Sequence, residues 1–203
     1  MPPSRLRPLE LPDASVALDE AWMPPDEADA LLAALLAIVP WEVHRIHMFG
    51  RKVDSPRLSC WIGDPHAAYT YSGTRFKPKA WPDCLKPLRT RLQRQLDVDF
   101  NSVLANLYRD GRDRMGWHGD NERELGARPV IASVSLGATR RFVLKRRDDS
   151  SIKLALDLPH GSLLVMAGTT QKHYRHALPA TAKPIGARIN LTFRRITNHL
   201  AVR

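Results

Sequence analysis

Cysteine is scarce: Cys60 and Cys84 are the only two in 203 residues, too few for a disulfide framework and without the paired spacing of a zinc site. A reducing compartment is expected, the cytoplasm, or the nucleus if the source cell has one. Long apolar runs are lacking as well. The longest, "LLAALLAIV" at 31–39, falls far short of a membrane span, and "MPPSRLRPLELPD" at the N-terminus has no apolar centre of the signal-peptide kind. Neither export nor membrane insertion is expected. With no internal repeat and no low-complexity linker, the chain is expected to form one domain over residues 1–203, and to be a monomer. Acidic residues are in deficit, 21 Asp and Glu against 31 Lys and Arg, a formal charge of +10. Such a surplus suits a polyanion, because basic clusters release counterions from phosphates, and nucleic acid leads the candidates. A merely solvated cationic surface is the plain alternative.

What is present divides near residue 100. "PPDEADALLAALLAIVPW" opens with prolines and acids and then runs in Ala and Leu until Pro40, as a helix with a favourable N-terminal charge and a proline stop would. After Pro82, "CLKPLRTRLQRQL" sets Leu85, Leu88, Leu92 and Leu96 on one stripe, predicting a second helix whose arginines face outward. Beyond Phe100 the rhythm becomes that of short strands: "SVLANLYR", "VIASVSLG", "RRFVLKRR", "SIKLALDL", "GSLLVMAG" and "RINLTFRRI", parted by Gly, Asp, Pro and Asn. A sandwich or jelly roll, with the helical first half packed onto it, is the expected architecture.

The stretch "MGWHGDNE" places His118 two residues before Asp120, so in an extended segment both side chains leave from one face and can meet one ion. The pair is weak evidence by itself, since eight histidines give a chance H-x-D odds of about 40% at ordinary aspartate frequency. "QKHYRHALP" supplies His173 and His176, either of which would complete two imidazoles and a carboxylate, the facial set of non-haem Fe(II). In "RINLTFRRI", Arg188, Asn190, Thr192 and Arg194 share one strand face and Ile189, Leu191 and Phe193 the other. The polar face is either a solvated outer surface or an inward wall that holds a dicarboxylate, which guanidinium matches bidentately. Asn106 and Tyr108 in "LANLYRDG" likewise share a face. Periodicity does not choose between these readings.

Together these segments resemble the AlkB family of Fe(II)- and 2-oxoglutarate-dependent dioxygenases, most closely its members that repair alkylated duplex DNA. The likeness runs from about Phe49 to Ile196 and keeps family order: "MFG", "SPR", "YTYSG", "KPKAWP", "NLYRDG", "WHGDNE", "SVSLGATRRF", "HYRHALP", "RINLTFRRI". It implies a mainly β fold with flanking helices, namely a double-stranded β-helix core at 101–196 preceded by N-terminal helices and a nucleotide-recognition lid within 1–100. It implies His118, Asp120 and His176 as iron ligands, with His173 a neighbour. Asn106, Tyr108, Arg188, Asn190 and Arg194 would bind 2-oxoglutarate, so the resemblance favours the inward reading of the arginine strand. Tyr69, Tyr71 and Ser72 would line a base pocket, Glu122 would accept from an exocyclic amine, and Arg57 would contact substrate. Phe49 would wedge into the gap left by a flipped base.

Phosphate contacts are expected among Arg51, Lys52, Arg57, Arg140, Arg141, Lys145, Arg146 and Arg147. The activity so implied uses O2 and 2-oxoglutarate to hydroxylate the methyl group of lesions such as 1-methyladenine or 3-methylcytosine in DNA, with release of formaldehyde. No catalytic residue beyond the metal ligands is implied. A hydroxylase of RNA or protein would share the iron and co-substrate residues without needing Phe49 or Glu122. A metal-free nucleic-acid binding module would not need His118, Asp120 and His176 together.

Overall fold

The computed structural model describes residues 5–48, 51–67, 69–71 and 74–197. The chain begins with β1 (Arg7–Leu9) and β2 (Ser15–Asp19), then enters α1 (Pro25–Ile38). Pro25 occupies the first turn, where its missing N–H leaves no bond unmade, and Asp26 and Glu27 face the positive end of the helix dipole. Ala28, Leu31 and Leu35 are its buried stripe. Two short hairpin strands, β3 (Arg45–Met48) and β4 (Arg51–Asp54), precede β5 (Leu58–Gly63), and a second pair follows, β6 (Tyr69–Tyr71) and β7 (Thr74–Phe76). Helix α2 (Lys86–Leu96) buries Leu88 and Leu92 and ends at Asp97, whose left-handed φ of 52° turns the chain out of the helix.

The remaining elements are β8 (Ser102–Tyr108), β9 (Met115–His118), β10 (Ile131–Gly137), β11 (Arg140–Arg146), β12 (Lys153–Leu158), β13 (Ser162–Ala167), the single-turn α3 (Thr170–His173), β14 (Tyr174–Leu178) and β15 (Arg188–Arg194). Seven strands form one antiparallel sheet in the order β1-β2-β13-β10-β15-β8-β5, and four form a second in the order β12-β11-β14-β9. This is a double-stranded β-helix with flanking helices. Non-consecutive neighbours such as β8 and β15 are what the jelly-roll winding requires, and they bring distant segments into register.

Two apolar layers hold the large sheet. On its outer side Leu31 and Leu35 of α1 and Leu88 and Leu92 of α2 pack with Val103, Ala105, Val134, Leu136, Ile189, Leu191 and Phe193. On its inner side Ile131, Leu164 and Met166 meet Phe142, Leu144 and Tyr174 of the small sheet. Because alternate residues of a strand face opposite ways, burying Ile189, Leu191 and Phe193 under the helices turns Arg188, Asn190, Thr192 and Arg194 toward the second sheet.

The sheet also takes three strands from before residue 100, where sequence pattern shows mainly helices. In "LSCWIG", every residue after Leu58 is buried, and a short run buried on both faces carries no alternation to mark it as strand. No helix among the described residues is long and apolar enough to cross a membrane.

Candidate active site

His118 ends β9, the edge strand of the small sheet, and His176 lies directly opposite it on β14 as its cross-strand partner. Their ring centroids are 4.2 Å apart. The backbone leaving β9 brings Asp120 back beside them, so that donor atoms of His118, Asp120 and His176 all lie within 4.8 Å of one another. His118 Nδ1 sits 2.8 Å from the Gly116 carbonyl. A carbonyl only accepts, so Nδ1 carries the proton and the lone pair is left on Nε2, which faces Asp120 Oδ1 at 4.0 Å. His176 Nδ1 is buried with no hydrogen-bond partner among the described residues. His173, at the end of α3, lies outside this donor group.

The electrostatics suit ligation. Burial pushes the His118 imidazole down against the pull of Asp120, and burial followed by the neighbouring His118 pushes His176 down to about 3. Both rings are therefore neutral at physiological pH. Burial alone would raise the Asp120 carboxyl, but Arg194, then His176 and His118, outweigh it and hold it ionised far below the usual carboxylate range. Two neutral imidazoles and one carboxylate are the protonation states a divalent cation needs.

A cavity between the sheets joins this group to the polar face of β15, lined by Asn106 and Tyr108 of β8 and by Arg188, Asn190, Thr192 and Arg194. The β8–β15 register pairs Arg188 with Tyr108 and Asn190 with Asn106. Arg188 is 1% exposed. Its Nη2 donates to Ser135 Oγ at 2.9 Å, while Nε and Nη1 are buried with no hydrogen-bond partner among the described residues. Burial, with Arg140 adding to it, lowers Arg188 to about 10, so it remains a cation. A buried guanidinium with two N–H edges unmet is costly unless an anion completes it. Asn190 Nδ2 donates to Ser133 Oγ at 2.7 Å, and Arg57 Nε donates to Asn106 Oδ1 at 2.8 Å. The donor set around His118 and the open edge of Arg188 thus fit a divalent metal and a dicarboxylate in one cavity.

The other sequence-derived candidates fall in different places. Arg57 is buried against Asn106, not displayed at the surface. Glu122 is half-buried just beyond Asp120, its carbonyl accepting from Leu125 N at 3.0 Å. Tyr69 and Tyr71 lie on β6. Phe49 and Ser72 lie outside the described residues.

Among the basic residues, Arg140 is buried with its guanidinium on main-chain carbonyls, which removes it from the phosphate-contact group. Arg141 pairs with Asp157, and Arg146 with Asp13 and Asp148. Three supporting residues escaped sequence reasoning. Gln171 Oε1 accepts from Asp120 N at 2.9 Å, and Ser133 and Ser135 brace the polar face of β15. The two serines did leave a signal, being polar residues two apart in the apolar run "IASVSLG".

A model of the 2OG-Fe(II) oxygenase superfamily matches residues 15–194. The chain belongs to this superfamily. As the superfamily's description says, its chemistry draws on 2-oxoglutarate, Fe(II) and dioxygen, and this chain presents the donor group and the open Arg188 edge described above. It is 42% identical over 159 residues to the DNA oxidative demethylase ALKBH2 of Homo sapiens, covering 75% of this chain and 61% of that protein. To the alpha-ketoglutarate-dependent dioxygenase alkB homolog 3 of Homo sapiens it is 36% identical over 181 residues, covering 84% and 62%. The match therefore spans about three fifths of the length of these curated relatives. The solved structure of OsALKBH1 superposes with a TM-score of 0.65 at 17% identity, over 92% of this chain and 98% of that one, a likeness of fold.

Proposed function

We propose that this oxygenase is an oxidative demethylase of N-alkylated bases in DNA, such as 1-methyladenine and 3-methylcytosine. The observation that carries the reading is that one cavity is lined by Arg188, with its open edge, and by His118, Asp120 and His176 together. Similarity to proteins named as DNA oxidative demethylases supports DNA as the substrate, and the positive charge of the chain suits it.

In this reading His118, Asp120 and His176 hold Fe(II), and Arg188 holds the distal carboxylate of 2-oxoglutarate, with Tyr108 beside it. Arg194, Asn106 and Asn190 shape the remainder of that pocket. Held there, iron and 2-oxoglutarate would supply the oxidising chemistry: one oxygen atom of O2 would hydroxylate the methyl group, which is then lost as formaldehyde, and the other would go into succinate as 2-oxoglutarate loses CO2. The chain's own work is positioning. Gly116 fixes the His118 tautomer, Arg194 holds one oxygen of Asp120, and Gln171 holds the Asp120 main chain. A base within a duplex must be unstacked to reach this cavity. Phe49 fills the gap it leaves, Tyr69, Tyr71 and Ser72 receive it, and Glu122 accepts from its exocyclic amine. The enzyme acts as a monomer on duplex DNA and also on single strands.

The test uses oligonucleotides bearing either lesion, in single-stranded and duplex form, with Fe(II), 2-oxoglutarate and oxygen. Product mass should fall by one methyl group as succinate appears. Succinate formation that depends on an RNA or protein substrate, with the lesions in DNA left intact, would replace the DNA reading with the alternative hydroxylase.

A further inference from the structure

Arg140 opens β11 and is 3% exposed. Its Nη1 donates to the carbonyl of Asp110 at 3.1 Å, and its Nη2 donates to the carbonyls of Asp113 at 2.8 Å and Pro179 at 2.7 Å. Asp110 and Asp113 lie in the segment between β8 and β9, and Pro179 directly follows β14. Those three strands carry Tyr108 and Asn106, His118, and His176 respectively. One guanidinium therefore ties together the ends of three of the strands that bring side chains into the cavity, β8, β9 and β14.

Its charge matters as much as its hydrogen bonds. Among the described residues no carboxylate lies within ion-pair distance of Arg140 or of Arg188. The Asp113 carboxylate is engaged by the main chain and side chain of Arg109. Both guanidinium groups lie against Tyr108, with Cζ 5.7 Å from the ring centroid for Arg140 and 5.4 Å for Arg188. With Asp113 and Asp110 acting on Arg140 only from beyond ion-pair distance, the two buried cations leave this end of the cavity positive, and an anion entering beside Arg188 is stabilised by both. The Arg188 guanidinium feels this directly, since Arg140 adds to burial in lowering it.

We propose that Arg140 is a positioning residue for the distal carboxylate of the 2-oxoacid. It locks the Asp110–Asp113 turn behind Tyr108 and adds a second buried positive charge beside Arg188, so that a dianionic 2-oxoacid is selected over a monoanionic one. The inference rests on the reading of the Arg188 end as the co-substrate site.

The test measures binding in the Mn(II)-loaded full chain by thermal shift and calorimetry, without turnover. The probes are N-oxalylglycine, which carries a distal carboxylate, and oxamate, which lacks one. Arg140→Gln keeps amide donors for the carbonyls and removes the charge. It should weaken N-oxalylglycine by about tenfold, the scale of one close and partly screened charge interaction, while oxamate binding stays within about twofold. Arg140→Lys, which restores the charge without the planar fork, should recover part of the loss. Equal weakening of both probes, or a lysine variant no better than glutamine, reduces Arg140 to a structural staple and overturns the proposal. Unchanged N-oxalylglycine binding in Arg140→Gln overturns it too. If glutamine prevents folding, the lysine variant decides: N-oxalylglycine weakened by less than about tenfold with oxamate within about twofold supports the proposal, and equal weakening of both probes overturns it. A failure of the unmodified protein itself to bind N-oxalylglycine would instead sink the co-substrate reading.

Discussion

Arg194 Nη2 meets Asp120 Oδ2 at 2.8 Å, with both side chains almost wholly buried. The two residues are far apart in the chain, yet strand β15 carries Arg194 toward the carboxylate from one end and Arg188 toward the other end of the same cavity. One strand face thus reaches both the donor group and the proposed co-substrate end of the cavity, and substitutions along it have separable consequences.

Arg194→Met leaves Asp120 buried without its main counter-charge, a loss of about 3–5 kcal/mol for a broken buried pair. Denaturant titration of the metal-free protein checks it. The same variant should begin to unfold in acid at a higher pH. The folded Asp120 lies below its unfolded value of about 3.9, so its pairing stabilises the fold above that pH and is lost as pH falls through the depressed folded value. Without Arg194, burial pulls the carboxyl upward. An acid midpoint that does not move would mean that the pair contributes nothing to the fold.

His176→Ala and Asp120→Ala should each abolish oxidation and weaken Fe(II) binding, because each removes one of the three proposed ligands. His173→Ala should keep most activity, since His173 ends α3 outside the donor group. Metal titration of the three variants is the measurement, and a reversed order for His173 and His176 would refute the ligand set.

Arg188→Lys keeps a charge but loses the planar fork, so the Michaelis constant for 2-oxoglutarate should rise roughly tenfold or more, as one charge-assisted hydrogen bond of about 1.5–3 kcal/mol is lost. Because Arg188 is buried, the slope of DNA affinity against salt should not change. A shallower slope with an unchanged 2-oxoglutarate constant would assign this arginine to DNA.

Phe49→Ala should lower activity on duplex substrate more than on single strands, since only a duplex presents a gap to fill. Rates on matched duplex and single-stranded oligonucleotides decide this. Equal losses would remove Phe49 from the duplex mechanism.

Much of this protein is legible before folding because local rules act over a few residues. Period two in "RINLTFRRI" separates the two faces of β15, the proline and acidic residues before "ALLAALLAI" mark the start of α1, and H-x-D sets two donors on one side. The choice between His173 and His176 is different in kind. Local spacing permits either, and the structure brings His176 to the donor group by pairing it with His118 across two strands whose register no short stretch encodes. The arginines show the same limit. Arg140 and Arg141 are adjacent and chemically alike, but β11 turns one into the interior, onto three carbonyls from two other segments, and the other out to Asp157. Composition counts both as surface charge. Only the packing of distant strands decides which guanidinium loses its water, because desolvation depends on what surrounds a group in space and not on its neighbours in the chain.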